Sequence, residues 1–234
     1  MNKKLIVYDW NGTLIDDTWI TAQCFSFVIA PWGLPPLTAE TFRQAYDVPW
    51  TVMYKNMGVS DAHIAQLSGH PIGENFLNDY ETRINQAKLH NGTSAILQSM
   101  TDQGIDQIIL SNHIEDRILE QLNRLGISKH FKTILAYKTY SAEERKTTKL
   151  DKLQQYICEK NLKPSDIIIV GDTPEEIKIA KQLGLACVSF TFGYASETRL
   201  KKESPHLLVH SMEEFGHALV SLLYSENHTC INQE

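Results

Sequence analysis

Short, unbroken apolar runs alternate along this chain with amphipathic stretches. The runs are Leu5-Ile6-Val7-Tyr8, Gln107-Ile108-Ile109-Leu110, Thr133-Ile134-Leu135, Ile167-Ile168-Ile169-Val170 and Cys187-Val188-Ser189-Phe190. Runs that stay apolar at consecutive positions suit strands buried on both faces, as in a parallel sheet. Between them, residues 94–103, 114–125, 148–160 and 175–183 carry apolar positions at helical spacing. Gly104, Gly126 and Gly184 stand where such helices end. The alternation predicts an α/β fold, a doubly wound parallel sheet.

One interval breaks this rhythm. From about Thr18 to Leu89 there is no run suited to a buried strand. The segment reads as helices separated by breakers, first at Pro31-Trp32-Gly33-Leu34-Pro35-Pro36, then near 58–62 and 69–73. Thr38 is placed to cap a helix starting near Ala39. The expected organisation is an α/β core made of residues 1–16 and 89–234, interrupted by a helical cap over 17–88. The polar tail after Ser225 is expected to fray.

Composition narrows the partners. The 234 residues carry a net charge of −6 with no basic run, which argues against nucleic acid or an anionic membrane surface. Cys24, Cys158, Cys187 and Cys230 are scattered, without metal-ligand spacing. They read as reduced thiols in a reducing compartment. No segment has the length and apolarity of a membrane span, and the first residues lack the apolar run of a signal peptide. The expectation is a cytoplasmic protein, monomer or homodimer.

Three of the expected strands end on polar groups: Asp9, Ser111-Asn112 and Asp172. A lone Asp after a strand is ordinarily a turn former or helix cap. A set is different, because open parallel sheets bind ligands at the carboxyl ends of their strands.

The order of these pieces resembles the haloacid dehalogenase-like superfamily, and within it the phosphoglycolate-phosphatase-like branch with an inserted helical cap. The first motif, Asp-x-Asp-Gly-Thr, appears as Asp9-Trp10-Asn11-Gly12-Thr13. The second, a Ser or Thr ending a hydrophobic strand, appears as Ile108-Ile109-Leu110-Ser111-Asn112. The third, a Lys opening the helix before the fourth strand, is matched by Lys146, with Lys149 as its competitor. Lys146 is preferred because it begins the helical stretch and leaves Leu150 and Leu153 to face the sheet. The fourth appears as Gly171-Asp172-Thr173-Pro174-Glu175-Glu176. The resemblance implies a Rossmann-like core and a Mg²⁺-dependent hydrolase of a small phosphorylated metabolite.

It also implies roles. Asp9 is the nucleophile that forms an acyl-phosphate, splitting a difficult hydrolysis into two steps. Ser111, Asn112 and Lys146 bind the phosphoryl group, Lys146 also balancing the charge on Asp9. Asp9, Asp172 and the Asn11 carbonyl hold Mg²⁺, a cation that prefers oxygen ligands. Glu176 stands where the family often has a second acid and is a candidate on the metal side. Asn11 departs from the pattern, since the family's phosphatases carry there the acid that protonates the leaving group. Asn does not titrate, and positioned acid–base catalysis is typically worth about 10²–10⁴-fold. Three readings follow: a phosphatase that is slow, restricted to good leaving groups or served by another acid such as Asp16, Asp17 or a cap residue; a phosphate-binding protein without turnover; or a phosphonatase-like hydrolase using a cap lysine such as Lys55.

Overall fold

The computed structural model describes residues 5–47, 50–67, 72–141 and 143–224. The tail and most of the loop expected near 69–73 lie outside the described residues. Strand β1 (Leu5–Tyr8) is followed by the short β2 (Ile15–Asp16). Five helices come next: α1 (Thr18–Ile29), α2 (Ala39–Ala45), α3 (Trp50–Asn56), α4 (Asp61–Leu67) and α5 (Ile72–Arg83). The chain then passes through β3 (Lys88–Leu89), α6 (Thr93–Asp102), β4 (Asp106–Ile114), α7 (Glu115–Arg124) and β5 (Thr133–Tyr137). It continues as α8 (Lys149–Glu159), β6 (Ile167–Gly171), α9 (Pro174–Leu183) and β7 (Ala186–Phe190). The last elements are α10 (Glu197–Lys202), β8 (Leu207–Val209) and α11 (Met212–Tyr224).

Six strands form one parallel sheet in the order β5-β4-β1-β6-β7-β8. β1 sits inside the sheet with all four side chains buried, as its unbroken apolar run demands. Register then sets the site. Tyr8 pairs with Ile109 on one side and Val170 on the other, so the strands flanking β1 reach the same edge together. Asp9, Ser111 and Asp172 follow at that edge.

Two features differ from the expected strands. β8 was not anticipated; it has three residues at the sheet edge, only one of them fully buried, and so leaves little periodic signal. β4 does not stop at Leu110 but runs to Ile114, with a shift of register against β5 between those residues. Ser111 and Asn112 therefore sit within an irregular strand end rather than after it.

The helices α1 to α5 leave and re-enter the core side by side. Ile15 pairs with Leu89 and Asp16 with Lys88, antiparallel. This two-residue ladder lies at both ends of the segment expected to form the cap. Inside that segment the ring of Phe25 lies 5.8 Å from Phe42, 4.5 Å from Phe76 and 5.9 Å from Tyr54. Arg43 of α2 fastens these helices to the core, donating from Nε to the Gly193 carbonyl and from Nη2 to that of Phe192, each at 2.8 Å. Among the described residues no helix is long and apolar enough to cross a membrane.

Leu153 of α8 is wholly buried with Val7, Ile108, Leu110 and Ile169, and its helix begins at Lys149. Leu153→Ala is expected to lower unfolding free energy by about 2–5 kcal/mol in urea titrations. The exposed Leu119→Ala should change it by less than about 0.5 kcal/mol.

Candidate active site

Asp9 follows directly from β1. Its backbone N–H donates to the Val170 carbonyl at 2.9 Å, extending the ladder by one residue. Its side chain is buried at the sheet's carboxyl edge.

The lysine that meets it is Lys149. Thr148 caps α8: its hydroxyl accepts from the Asp151 N–H, and the Asp151 carboxylate accepts from the Thr148 N–H. That reciprocal pair sets the helix start at Lys149. Lys149 shares a face with Leu153 one turn on, and Leu153 faces the sheet, so Lys149 does too. Its ammonium donates to Asp9 Oδ1 at 2.8 Å and to Glu176 Oε1 at 2.6 Å, and Glu175 Oε2 lies 3.5 Å away. Lys149 is 3% exposed. Lys146, expected in this role, sits in the short 3₁₀ turn before α8 with its side chain 70% exposed and paired to Glu143. The cap, not the apolar spacing alone, decides which lysine points inward.

Glu176 is also buried against the lysine. One oxygen holds Lys149; the other accepts from the Thr173 hydroxyl at 2.6 Å. Its carboxylate bridges the lysine and the start of α9. Asn112 turns outward: its amide donates to Glu175 Oε2 at 2.8 Å and the residue is exposed. Ser111 is buried, its hydroxyl accepting from the His113 N–H at 3.2 Å. Trp10 does not line the site; it is fully buried, and its indole N–H donates to Gln121 at 2.6 Å. Lys55 is exposed and paired with Asp61 at 2.7 Å.

Asp172 lies wholly buried at the end of β6. Its Oδ1 accepts from the Thr13 hydroxyl at 2.5 Å and its Oδ2 from the Tyr194 N–H at 2.6 Å. Gly12 makes room for it: the backbone there has φ +73°, and a Cβ would stand 2.5 Å from Asp172 Oδ2. Both the turn and the approach require glycine.

The charges do not balance. Asp9, Asp172 and Glu176 are three buried acids against the one ammonium of Lys149. Burial pushes the Asp9 carboxyl up to about 7 despite the opposing pull of Lys149. Burial, then repulsion from Asp9 and Glu176, pushes Asp172 well above the carboxylate range. Burial pulls Lys149 down, but Asp9, Glu176 and Glu175 together hold its ammonium well above its usual value. Buried carboxyl groups that are costly to ionise unaided are the oxygen-donor chemistry that a hard divalent cation satisfies. Among the described residues no three His, Cys, Asp or Glu side chains converge as a metal cluster. The candidate set is the Asp9 and Asp172 carboxylates with the Asn11 carbonyl.

Asn11 is tied to residues the sequence did not single out as a group. Its amide donates to Asp17 Oδ2 at 2.8 Å and to the Tyr80 hydroxyl at 2.6 Å. Asp17, read from sequence as the start of a helix, is fully buried. It also accepts from the Gly12 N–H at 2.8 Å, the Tyr80 hydroxyl at 2.6 Å and the Tyr194 hydroxyl at 2.8 Å. The nearness of Asp17 to the first motif was a visible signal; Tyr80, in a helix with no motif, gave none.

Fold and site together define a doubly wound α/β protein with an acidic centre at the ends of its inner strands and a helical segment inserted after the first. The chain belongs to the haloacid dehalogenase-like hydrolase family, whose model matches residues 6–190. It is 21% identical over 219 residues to phosphoglycolate phosphatase 1 of Pseudomonas aeruginosa, covering 90% of this chain and 78% of that one. It is also 21% identical over 227 residues to a phosphoglycolate phosphatase of Agrobacterium fabrum, covering 95% and 94%. Among solved structures, a haloacid dehalogenase-like hydrolase from Streptococcus pneumoniae superposes with a TM-score of 0.74 at 20% identity, covering 92% of this chain and 98% of that one. A conserved haloacid dehalogenase-like protein from Agrobacterium tumefaciens gives 0.73 at 19%, covering 94% and 99%.

Lys149→Ala leaves Asp9 and Glu176 buried without their cation and is expected to cost about 3–5 kcal/mol of stability at pH 8, measured in urea. Lys146→Ala should leave the unfolding midpoint where it is.

Proposed function

We propose that the chain is a Mg²⁺-dependent phosphatase that hydrolyses a small phosphorylated metabolite through an aspartyl-phosphate on Asp9. The observation that carries this reading is the contact of Lys149 with Asp9 and Glu176, beside a second buried acid, Asp172. Membership of the hydrolase family and the phosphatase names of the relatives support it.

Asp9 attacks phosphorus, and Lys149 offsets the negative charge gathered on the carboxylate and the phosphoryl oxygens. Ser111 hydrogen-bonds a phosphoryl oxygen from the neighbouring strand end. Glu176 and Thr173 keep Lys149 aimed at Asp9. Asp9, Asp172 and the Asn11 carbonyl would hold Mg²⁺, which when bound offsets the repulsion between carboxylate and phosphate. The helices over residues 17–88 exclude bulk water. Cys24, Cys158 and Cys187 are unpaired, which fits a cytoplasmic setting.

Mg²⁺-dependent hydrolysis of p-nitrophenyl phosphate is expected in the wild type and absent from Asp9→Asn. Equal rates in the two would sink the Asp9 reading. Mg²⁺-dependent binding of inorganic phosphate without turnover would favour the binding-protein reading instead.

The raised Asp9 pKa sets a pH dependence. Folded metal-free protein keeps a proton on Asp9 up to about pH 7, whereas the unfolded chain releases it in the ordinary carboxylate range. Without metal, this group's contribution to stability therefore falls as pH rises through that window. Mg²⁺ competes with the proton, so the gain in melting temperature on adding Mg²⁺ should grow from about pH 5.5 to about pH 8, a range that brackets the Asp9 value. A gain that stays flat across this range would contradict Asp9 as a ligand.

A further inference from the structure

The position two residues after Asp9 faces the leaving group in the phosphatase reading, and this inference rests on that reading. The residue there is Asn11, and both contacts of its amide are as donor, to Asp17 and Tyr80. The neighbouring hydroxyls supply no substitute. Those of Tyr80 and Tyr194 both direct their protons at Asp17. Asp17 itself is wholly buried, and four donors point at its two oxygens. It is the acceptor at the centre of the cluster, screened by the groups that bind it. Lys149 is in contact with three carboxylates. His113, beside Ser111, is buried with Nδ1 against the Tyr140 hydroxyl and Nε2 3.5 Å from Glu81. Burial pushes its imidazole down to about 4, so it is neutral at physiological pH.

We infer that the chain acts on activated phosphates, whose leaving oxygen departs as a stable anion: acyl phosphates, phosphoanhydrides, and enol or aryl phosphates. Esters of ordinary alcohols are disfavoured, because an alkoxide needs a proton as it leaves. In the first step an Asp9 oxygen bonds to phosphorus while the bond from phosphorus to the leaving oxygen breaks. The electron pair goes with that oxygen, which takes its proton from solvent afterwards. In the second step water attacks the phosphorus of the acyl-phosphate and the bond to Asp9 breaks. The carboxylate is regenerated, and the protons of the water leave with inorganic phosphate. This substrate class departs from phosphoglycolate, the alkyl ester named for the relatives.

The test is kcat/KM at fixed Mg²⁺ for acetyl phosphate, p-nitrophenyl phosphate, phenyl phosphate, phosphoglycolate and glycerol 3-phosphate, with Asp9→Asn as blank. Acetyl and p-nitrophenyl phosphate are expected to exceed the two alkyl esters by about 10²–10⁴-fold, the range a positioned proton donor ordinarily supplies. Phenyl phosphate should fall between. The solvent deuterium isotope effect on kcat/KM should be close to unity, because no proton moves in the first step. The double variant Asn11→Asp with Asp17→Asn keeps one acid and one amide in the cluster and places the acid toward the leaving group. It should narrow the spread by at least about tenfold, within the same range. Alkyl esters turned over as fast as p-nitrophenyl phosphate, a clear isotope effect, or a folded double variant with an unchanged spread would each overturn the inference. Loss of Asp9-dependent turnover on every substrate is a separate outcome: it removes the phosphatase reading and this substrate class with it.

Discussion

The contact between the Lys149 ammonium and the Asp9 carboxylate, 2.8 Å apart and nearly sealed from solvent, is the interaction around which the rest of the site is arranged. Taking two charges out of water costs several kcal/mol for each ion unless geometry and further hydrogen bonds offset it. Here the offset comes from several elements at once. The sheet register brings Asp9 to the edge beside β6. The Thr148 cap starts α8 at Lys149, and Leu153 turns that face inward. The opening turn of α9 supplies Glu176, whose second oxygen is anchored by Thr173. Each of these is a local choice made by a few residues, and together they hold one ammonium against two carboxylates.

The second dependency runs through Asp17. A buried carboxylate that accepts from Asn11, Gly12, Tyr80 and Tyr194 ties the turn after Asp9 to α5 of the inserted helices and to the loop after β7. The turn after Asp9 is thus fastened to the inserted helices. Arg43 adds a tether from α2 to the same loop after β7. Asn11 in this setting is part of a structural junction, and its amide is committed as donor to Asp17 and Tyr80.

Much of this was legible in the sequence. Unbroken apolar runs gave the inner strands, because a strand buried on both faces has no polar alternation to conceal it. Asp9, Ser111 and Asp172 stood out because strand ends are where a parallel sheet binds ligands. What escaped had physical reasons. β8 is a half-buried edge strand with too few residues for a pattern. The Lys146–Lys149 choice turned on the Thr148–Asp151 capping box, which starts α8 at Lys149 and so puts that lysine on the face of Leu153. The inward turn of Asp17 and its meeting with Tyr80, 63 residues away, follow from packing between elements, which no local window contains. Glu176 was visible as a second acid, but its partner became clear only once the lysine was placed.

The central claim is that Asp9 takes the phosphoryl group covalently. The most direct measurement is the intact mass of the protein, then of its peptides, after rapid acid quench of a mixture with acetyl phosphate and Mg²⁺. A single phosphoryl adduct on the peptide bearing Asp9, labile to mild base and to hydroxylamine as an acyl-phosphate is, is the predicted result. Turnover with no adduct at any quench time, or an adduct that maps to another residue, would contradict it.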